Sequence, residues 1–386
     1  MASSAGFIID PHGACFFGAG TVAQLPELVG SLPARRVFLV TDRGVAGAGI
    51  SVAVERSLRR AGIEVAVFDG IQPNPDITTL DAGAAAIRSF GPGAVLALGG
   101  GAVLDVAKGL ALMAVNKGTA RDVEYSRHPD CPGLPVIAVP TTAGTGSETN
   151  AWGVIDDPAA GRKIYIGHQS VAPRFVVLDP ALTLTLPPAA TAAAGMDALC
   201  HALESLSSVR GNLYAECLDL QVVRLVSRSL PRAIADGKDL AARSDLLLAA
   251  HLAGLAFATT GLGLAHAVGH ALSARLGAAH GVALSVLLPP VLAFNLPARQ
   301  ALYARLAPVL ESAETDANER AQAEATIEAV RQLGADLGLP GRLGDLGCRA
   351  SHIPSIVEDA LADEVMSNTP RPPTAEELAS LLLAIL

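Results

Sequence analysis

The sequence predicts an α/β half joined to an all-helical half, and three observations carry that prediction. Up to about residue 180, short apolar runs alternate with amphipathic helical stretches, as in βα units around a parallel sheet. Beyond Pro187 and Pro188 the chain turns to long alanine- and leucine-rich windows of helical period, broken by Gly and Pro near Gly261, Pro289 and residues 338–341. Three successive glycines, Gly99, Gly100 and Gly101, stand directly between an apolar run and a helical stretch. The composition shifts near residue 185, which gives an α/β domain over 1–185 and a helical domain over 186–386. A chain of 386 residues is expected to divide, because single cores stop growing at about 250–300 residues.

The strands read as near-continuous apolar runs: RVFLVTD (36–42), EVAVFD (64–69), AVLALGG (94–100), PVIAVPTT (135–142) and FVVLD (175–179). Such runs belong to strands covered on both faces by crossover helices. The final stretch, PTAEELASLLLAIL, opens on Thr374 with Glu377 three positions on, a capping box ahead of an apolar run.

Composition narrows the class. The chain is 51% hydrophobic but only 4% aromatic and 17% charged, with a mean hydropathy of +0.41. That excludes intrinsic disorder. A membrane span needs roughly 18–20 uninterrupted apolar residues. The longest candidate, residues 281–296, contains Pro289 and Pro290 and reads as a buried helix followed by a turn, so no span is expected. A net charge of -9 and a pI near 5.5 argue against nucleic acid or an anionic membrane as partner. The first basic residue is Arg35, and Asp10 and Pro11 interrupt the early apolar segment, so the expectation is a cytoplasmic protein without a secretory signal. Five scattered cysteines (Cys15, Cys131, Cys200, Cys217, Cys348) read as reduced thiols, chiefly small buried hydrophobes.

The glycine turn lets backbone approach a ligand, and the free N–H groups of the helix behind it favour an anion such as a pyrophosphate. The alternative is a tight βα turn that needs positive φ. A second loop, PTTAGTGSETN (140–150), gathers hydroxyls and glycine amides that suit ribose or phosphate; otherwise it is a well-bonded surface loop. Asp42 ends a strong strand, where a carboxylate accepts from ribose hydroxyls and repels a 2′-phosphate. This favours NAD over NADP, although the neighbouring Arg43 is able to accommodate that phosphate.

Of nine histidines, His266, His270 and His280 fall within fifteen consecutive positions, and His201 follows Asp197 by four. Spacing of i, i+4 puts Asp197 and His201 on one helix face, and His266 and His270 on another. A Gly277-containing break folds His280 back towards them. Imidazoles buried singly among alanine are costly, so one shared metal site explains them together. By donor softness Fe, Zn, Co and Ni all remain open.

With GGGAVLDVAK, PTTAGTGSET, AAGMDALCHALES and GLGLAHAVGHALSARLGAAHGVALSVLLPPVLAFN in that order, the chain resembles the iron-containing (group III) alcohol dehydrogenase family from about residue 17 to its last helix. The resemblance implies a Rossmann-like domain for a nicotinamide dinucleotide, a helical domain for a divalent metal (Fe2+ or Zn2+), and an active site in the cleft between them, the dehydroquinate synthase-like architecture. It implies Asp197, His201, His266 and His280 as metal ligands and His270 as a residue near nicotinamide and substrate, suited to a proton relay. It further implies that Gly100, Gly101, the Ala102 backbone and Asp105 contact the pyrophosphate and nicotinamide region, and Thr141, Thr142 and Thr145 the phosphates and ribose. Asp42 and Asn74 match positions near the adenosine ribose, and Lys163 a cofactor-contacting lysine. A homodimer is expected on the same ground.

Two departures bear on substrate. The family's usual GGGS reads GGGA at Ala102, and the stretch resembling FSNAGLG reads FATTGLG, with Ala258 and Thr259 in place of polar residues. The expected reaction is hydride exchange between NAD(H) and a small alcohol, aldehyde, hydroxy acid or keto acid. Its rival is a sugar-phosphate cyclase of the same architecture, which uses NAD only transiently and needs several Lys and Arg for a phosphate; residues 197–280 are sparing in them. A non-catalytic protein that has kept the fold would bind neither metal nor nucleotide.

Overall fold

The computed structural model describes residues 7–10, 13–33, 35–160, 162–312 and 317–386; Pro11 lies outside them. The chain forms two compact units, one of Asp10–Leu186 and one of Pro187–Leu386 that also takes in residues 7–9.

The first unit runs β1 (Ala14–Phe17), α1 (Leu25–Gly30), β2 (Arg36–Asp42), α2 (Arg43–Gly47), α3 (Ile50–Arg60), β3 (Glu64–Ile71), α4 (Ile77–Phe90), β4 (Ala94–Gly99), α5 (Gly101–Met113), β5 (Val136–Pro140), β6 (Trp152–Asp157), β7 (Arg162–Gly167) and β8 (Phe175–Leu178). Six strands form a parallel sheet in the order β1-β8-β5-β4-β2-β3. Alternate residues of the central strands feed two cores. Phe38, Val40, Val95, Ala97, Val136 and Ala138 pack beneath α4 and α5. Val37, Leu39, Leu96, Leu98, Ile137 and Val139 pack against α1 and α3. All five expected strands are present, but β3 lies at the edge with alternating burial, not buried on both faces. The β6–β7 hairpin and the exposed, four-residue edge strand β1 were not expected.

In this order the chain steps from β2 to β3 on one side and then returns to β4 on the other. The switch point therefore lies between β2 and β4, and the crevice outside the carboxyl ends of such strands is where open α/β sheets bind ligands. Asp42 ends β2, Gly99 ends β4 and Thr141 follows β5, so the sequence-selected residues rim this crevice.

The second unit runs α6 (Pro188–Ser207), α7 (Leu213–Ala235), α8 (Leu240–Thr260), α9 (Leu264–Leu276), α10 (His280–Leu306), α11 (Glu319–Asp336), α12 (Ile353–Ala362) and α13 (Ala375–Ala384). Pro188 opens α6 where its missing N–H costs nothing, and the Thr374–Glu377 capping box forms at α13. The expected turn at Pro289 and Pro290 is absent: α10 runs through both prolines and first leaves helical geometry at Arg299. Two lost helix bonds are tolerated in a segment whose apolar surface is buried, and Arg299 instead bonds the carbonyls of Ser207 and Ser208, the open end of α6. Both α8 and α10 are long and apolar enough to cross a membrane, contrary to expectation, yet 56% of each span is buried inside the fold. The cysteines also differ from expectation: Cys200 and Cys348 are buried thiols, whereas Cys15, Cys131 and Cys217 are exposed.

Candidate functional sites: a dinucleotide crevice and a metal centre

In the first unit the glycine turn is not a positive-φ turn, for none of Gly99, Gly100 and Gly101 has φ in that region. The glycines are needed for close approach. A Cβ on Gly100 would stand 3.2 Å from Thr142 Cγ2, and one on Gly101 would stand 2.6 Å from Thr145 Cγ2. Gly100 is the N-cap of α5 and has no side chain to offer, so the first N–H groups of that helix face the crevice as anion donors. Ala102 contributes only backbone there; its methyl packs on the core. The 140–150 loop is largely buried, not a surface loop.

Asp42 accepts from Val45 N at 2.9 Å, capping α2 at the end of β2. Asn74 sits in the β3–α4 connection at φ 52°, and the next residue, Pro75, accepts from Asp156 N at 2.9 Å. The Asp156 carboxylate holds Lys163 Nζ at 2.7 Å, so Lys163 and the backbone next to Asn74 are both tied to Asp156. Asp105, 16% exposed at its side chain, accepts at Oδ1 from Ser147 Oγ (2.5 Å) and at Oδ2 from Val154 N (3.0 Å).

In the second unit, Asp197 and His201 share a face of α6, His266 and His270 lie on α9, and His280 opens α10 just past the left-handed Gly277 that ends α9. Asp197 Oδ1 is 3.5 Å from His201 Nε2, 3.8 Å from His266 Nε2 and 4.0 Å from His280 Nε2. These separations exceed hydrogen-bond range. They suit ligands of one ion, since two atoms each about 2.1 Å from a tetrahedral centre stand roughly 3.4 Å apart. Asp197 Oδ1 and His266 Nε2 are buried and make no hydrogen bond, which is costly unless a cation takes them up. The donor set of one carboxylate and three imidazoles therefore fits a divalent metal. His270 stands apart from this convergence: its ring stacks on His280 at 5.5 Å, and Asp363 Oδ2 accepts from Nδ1 at 2.8 Å.

The electrostatics agree with the geometry. Burial would raise the Asp197 carboxyl, but His201, His266 and His280 around it hold it below the ordinary carboxylate range. Desolvation drives His280 well below its usual value despite the opposing Asp197, leaving a neutral imidazole, the form that ligates. At His266 burial is outweighed by Cys200, Asp197 and Glu204, which attract a proton where a cation would otherwise sit.

Glu204 and Asp363 were not singled out from the sequence. Glu204 lies on α6, three residues beyond His201 and seven beyond Asp197, a same-face spacing visible in MDALCHALES. Its carboxylate accepts from Gly263 N (3.0 Å), Ala265 N (2.6 Å) and His266 N (3.3 Å), capping α9, whose own N-cap residue is glycine. It also takes His266 Nδ1 at 2.6 Å, which turns Nε2 towards Asp197. Asp363 is 93 residues from His270 and has no local signal. Of the departures, Ala258 is exposed and Thr259 bonds Asn212 and the Ala256 carbonyl.

The family models named "Iron-containing alcohol dehydrogenase" and "Fe-containing alcohol dehydrogenase family, C-terminal" match residues 12–180 and 191–386. The chain belongs to the iron-containing alcohol dehydrogenase family. It is accordingly an oxidoreductase of alcohol and carbonyl groups that uses a nicotinamide dinucleotide and a divalent metal, and the cyclase alternative is not favoured. Relatives include the NAD-dependent methanol dehydrogenase of Bacillus methanolicus, 32% identical over 97% of this chain and 98% of its own. The 1,3-propanediol dehydrogenase of Klebsiella pneumoniae is 35% identical over 95% of each. Among solved structures, a 1,3-propanediol oxidoreductase superposes with a TM-score of 0.95 at 34% identity, covering 99% of this chain and 100% of that one.

Proposed function

We propose that this family member carries out reversible hydride transfer between NAD(H) and a small primary or secondary alcohol, with Asp197, His201, His266 and His280 holding the metal. The observation that carries the ligand assignment is the convergence of three imidazole nitrogens on Asp197 Oδ1, with two of the four atoms buried and otherwise unbonded. When bound, the metal supplies Lewis acidity to the substrate oxygen. Glu204 orients His266, and the carboxylate of Asp197 offsets positive charge. Alcohol plus NAD+ gives carbonyl, NADH and a proton; His270, with Nδ1 held by Asp363, takes that proton at Nε2 and passes it on.

Gly100, Gly101, the Ala102 backbone and Thr141, Thr142 and Thr145 form the phosphate and ribose cradle in this reading, with Asp105 behind the loop. Asp42, Asn74 and Lys163 lie towards the adenosine ribose, and the Asp42 carboxylate favours NAD over NADP. Relatives named for methanol and 1,3-propanediol support a small alcohol as substrate. A homodimer belongs to the same reading, supported by the open edge of β1, where Phe17 is 44% exposed. A cytoplasmic location is supported by five cysteines that are all free thiols.

The test is a panel of short aldehydes and keto acids assayed with NADH or NADPH after Fe2+ or Zn2+ loading. NADH consumption is expected with a short aldehyde, and His266→Ala is expected to lose both metal and turnover. Full turnover by His266→Ala stripped of metal would sink the ligand assignment.

A further inference from the structure

Lys108, two turns into α5, is 1% exposed, and a lysine is rarely buried so completely without a purpose. Its Nζ donates to Ser147 O (2.6 Å), Ser147 Oγ (2.7 Å), Asn150 Oδ1 (3.0 Å) and Trp152 O (2.6 Å), with Asp105 Oδ1 at 3.7 Å. Every hydrogen-bond partner comes from residues 147–152, the direct continuation of the loop that lays Thr142 on Gly100 and Thr145 on Gly101. Ser147 Oγ also donates to Asp105, and Asp105 in turn takes Val154 N, so the one cation ties α5, the loop and the start of β6 together. Four oxygens around one ammonium offset much of its desolvation. Burial still pulls Lys108 down to about 8, with Asp105 and Glu148 opposing.

We infer that Lys108 is a positioning residue for the dinucleotide: it anchors the 147–152 loop so that Thr142 and Thr145 stay seated over Gly100 and Gly101 at the N-terminus of α5. The inference rests on reading that turn as the phosphate cradle. A core staple with no such role would alter stability and leave cofactor affinity alone.

The test uses the iron-loaded full chain. In Lys108→Met, KM for NAD+ and the calorimetric Kd for NADH are expected to rise by about tenfold or more, the equivalent of one or two charge-assisted hydrogen bonds, with kcat at saturating NAD+ within about twofold. Iron content is expected to stay unchanged, and emission of Trp152, the only tryptophan, to shift to the red as its carbonyl loses the ammonium. A lower melting temperature with unchanged KM, or a fall in kcat together with iron loss, overturns the inference. Should Lys108→Met not fold, Ser147→Ala decides: a smaller rise in KM supports the inference and an unchanged KM overturns it. Gly101→Ala separates the two readings, since its Cβ would strike Thr145. If it raises KM while the Lys108 and Ser147 variants do not, Lys108 alone has been misread. If Gly101→Ala leaves KM unchanged, the cradle itself fails and this inference with it.

Discussion

Replacing Glu204 by Gln tests whether the metal centre is built from behind as well as by its ligands. The carboxylate is 5% exposed and accepts four donors: three backbone N–H groups at the start of α9 and the Nδ1 of His266. Burial would raise its pKa, but His266 and the backbone donors prevail and lower it, so the native group is an anion at a helix N-terminus. Glutamine keeps one acceptor oxygen and puts an NH2 where the other stood. In its better orientation the oxygen serves Gly263 and His266, and the NH2 meets the N–H of Ala265 head-on. One buried donor left unpaired costs about 1–3 kcal/mol, and losing the charge at the N-terminus of the helix costs up to ~2 kcal/mol more. The expected loss is therefore roughly 2–4 kcal/mol, or a melting temperature lower by about 5–15 °C for a unit of this size. Because a neutral amide oxygen replaces the carboxylate behind His266 Nδ1–H, the ring becomes a less basic ligand, and iron affinity is expected to fall by about 10–100-fold. Calorimetry of metal-free protein and iron retention against a graded chelator read the two effects separately. A Glu204→Gln protein that melts with the wild type and keeps its iron would refute the assignment of Glu204 as both cap and orienter.

Two further substitutions test other parts of the helical unit. A Cβ on Gly281 would lie 2.3 Å from the Ala193 carbonyl of α6, so Gly281→Ala must push the start of α10, and His280 with it, away from Asp197. Overpacking costs about 1–3 kcal/mol, set against about 1 kcal/mol of helix propensity gained; iron retention is expected to fall more than stability, and unchanged retention by metal analysis would refute the close-approach reading. Asp219 is fully buried, and desolvation, only partly offset by Ser205, raises its carboxyl well above 3.8. A raised acid gives stability that is complete below its unfolded pKa and is lost as pH climbs towards the folded one. Asp219→Asn removes that loss, so its advantage over wild type should grow by about 1.4 kcal/mol per pH unit above 3.8 until the folded pKa is reached. Melts from pH 5 to 8 measure it, and a constant or shrinking difference would show that Asp219 is charged in the folded state.

The buried strands were legible because a strand covered on both faces must be apolar throughout, and 37–40, 94–100 and 135–140 are. The hairpin β6–β7 was not, because its burial alternates and its outward positions carry Asp156, Arg162 and Lys163. At the metal centre the spacing of Asp197 to His201 and of His266 to His280 was enough to suggest one site, since helix periodicity and a glycine break are local properties. Glu204 shared that legibility and was overlooked; Asp363 did not, since its contact with His270 depends on the packing of distant elements. The proline pair in α10 misled for a related reason. Proline removes a hydrogen bond wherever it stands, but whether the helix ends there depends on how much buried surface holds it straight, and that is tertiary information.

The scarcity of aromatic residues takes on a physical meaning at this centre. Aspartate is a short ligand, so the backbone of α6 must come close to those of α9 and α10 for Asp197 to share an ion with His266 and His280. Helix separation is set by the side chains at the crossing. At the crossings around the site those side chains are small: Gly281 lies on Ala193, Gly195 receives Leu230, and Gly269 receives Leu284 with His280 Cε1 also within 3.6 Å of where a Cβ would stand. A phenylalanine at any of these points would widen the crossing by more than the slack in a metal–ligand bond. An alanine- and glycine-rich helical half is thus a geometric condition for carrying the proposed ligand set on three helices, and a bulky residue enters where it packs beside a ligand ring, as Phe257 does against His201 at 4.7 Å.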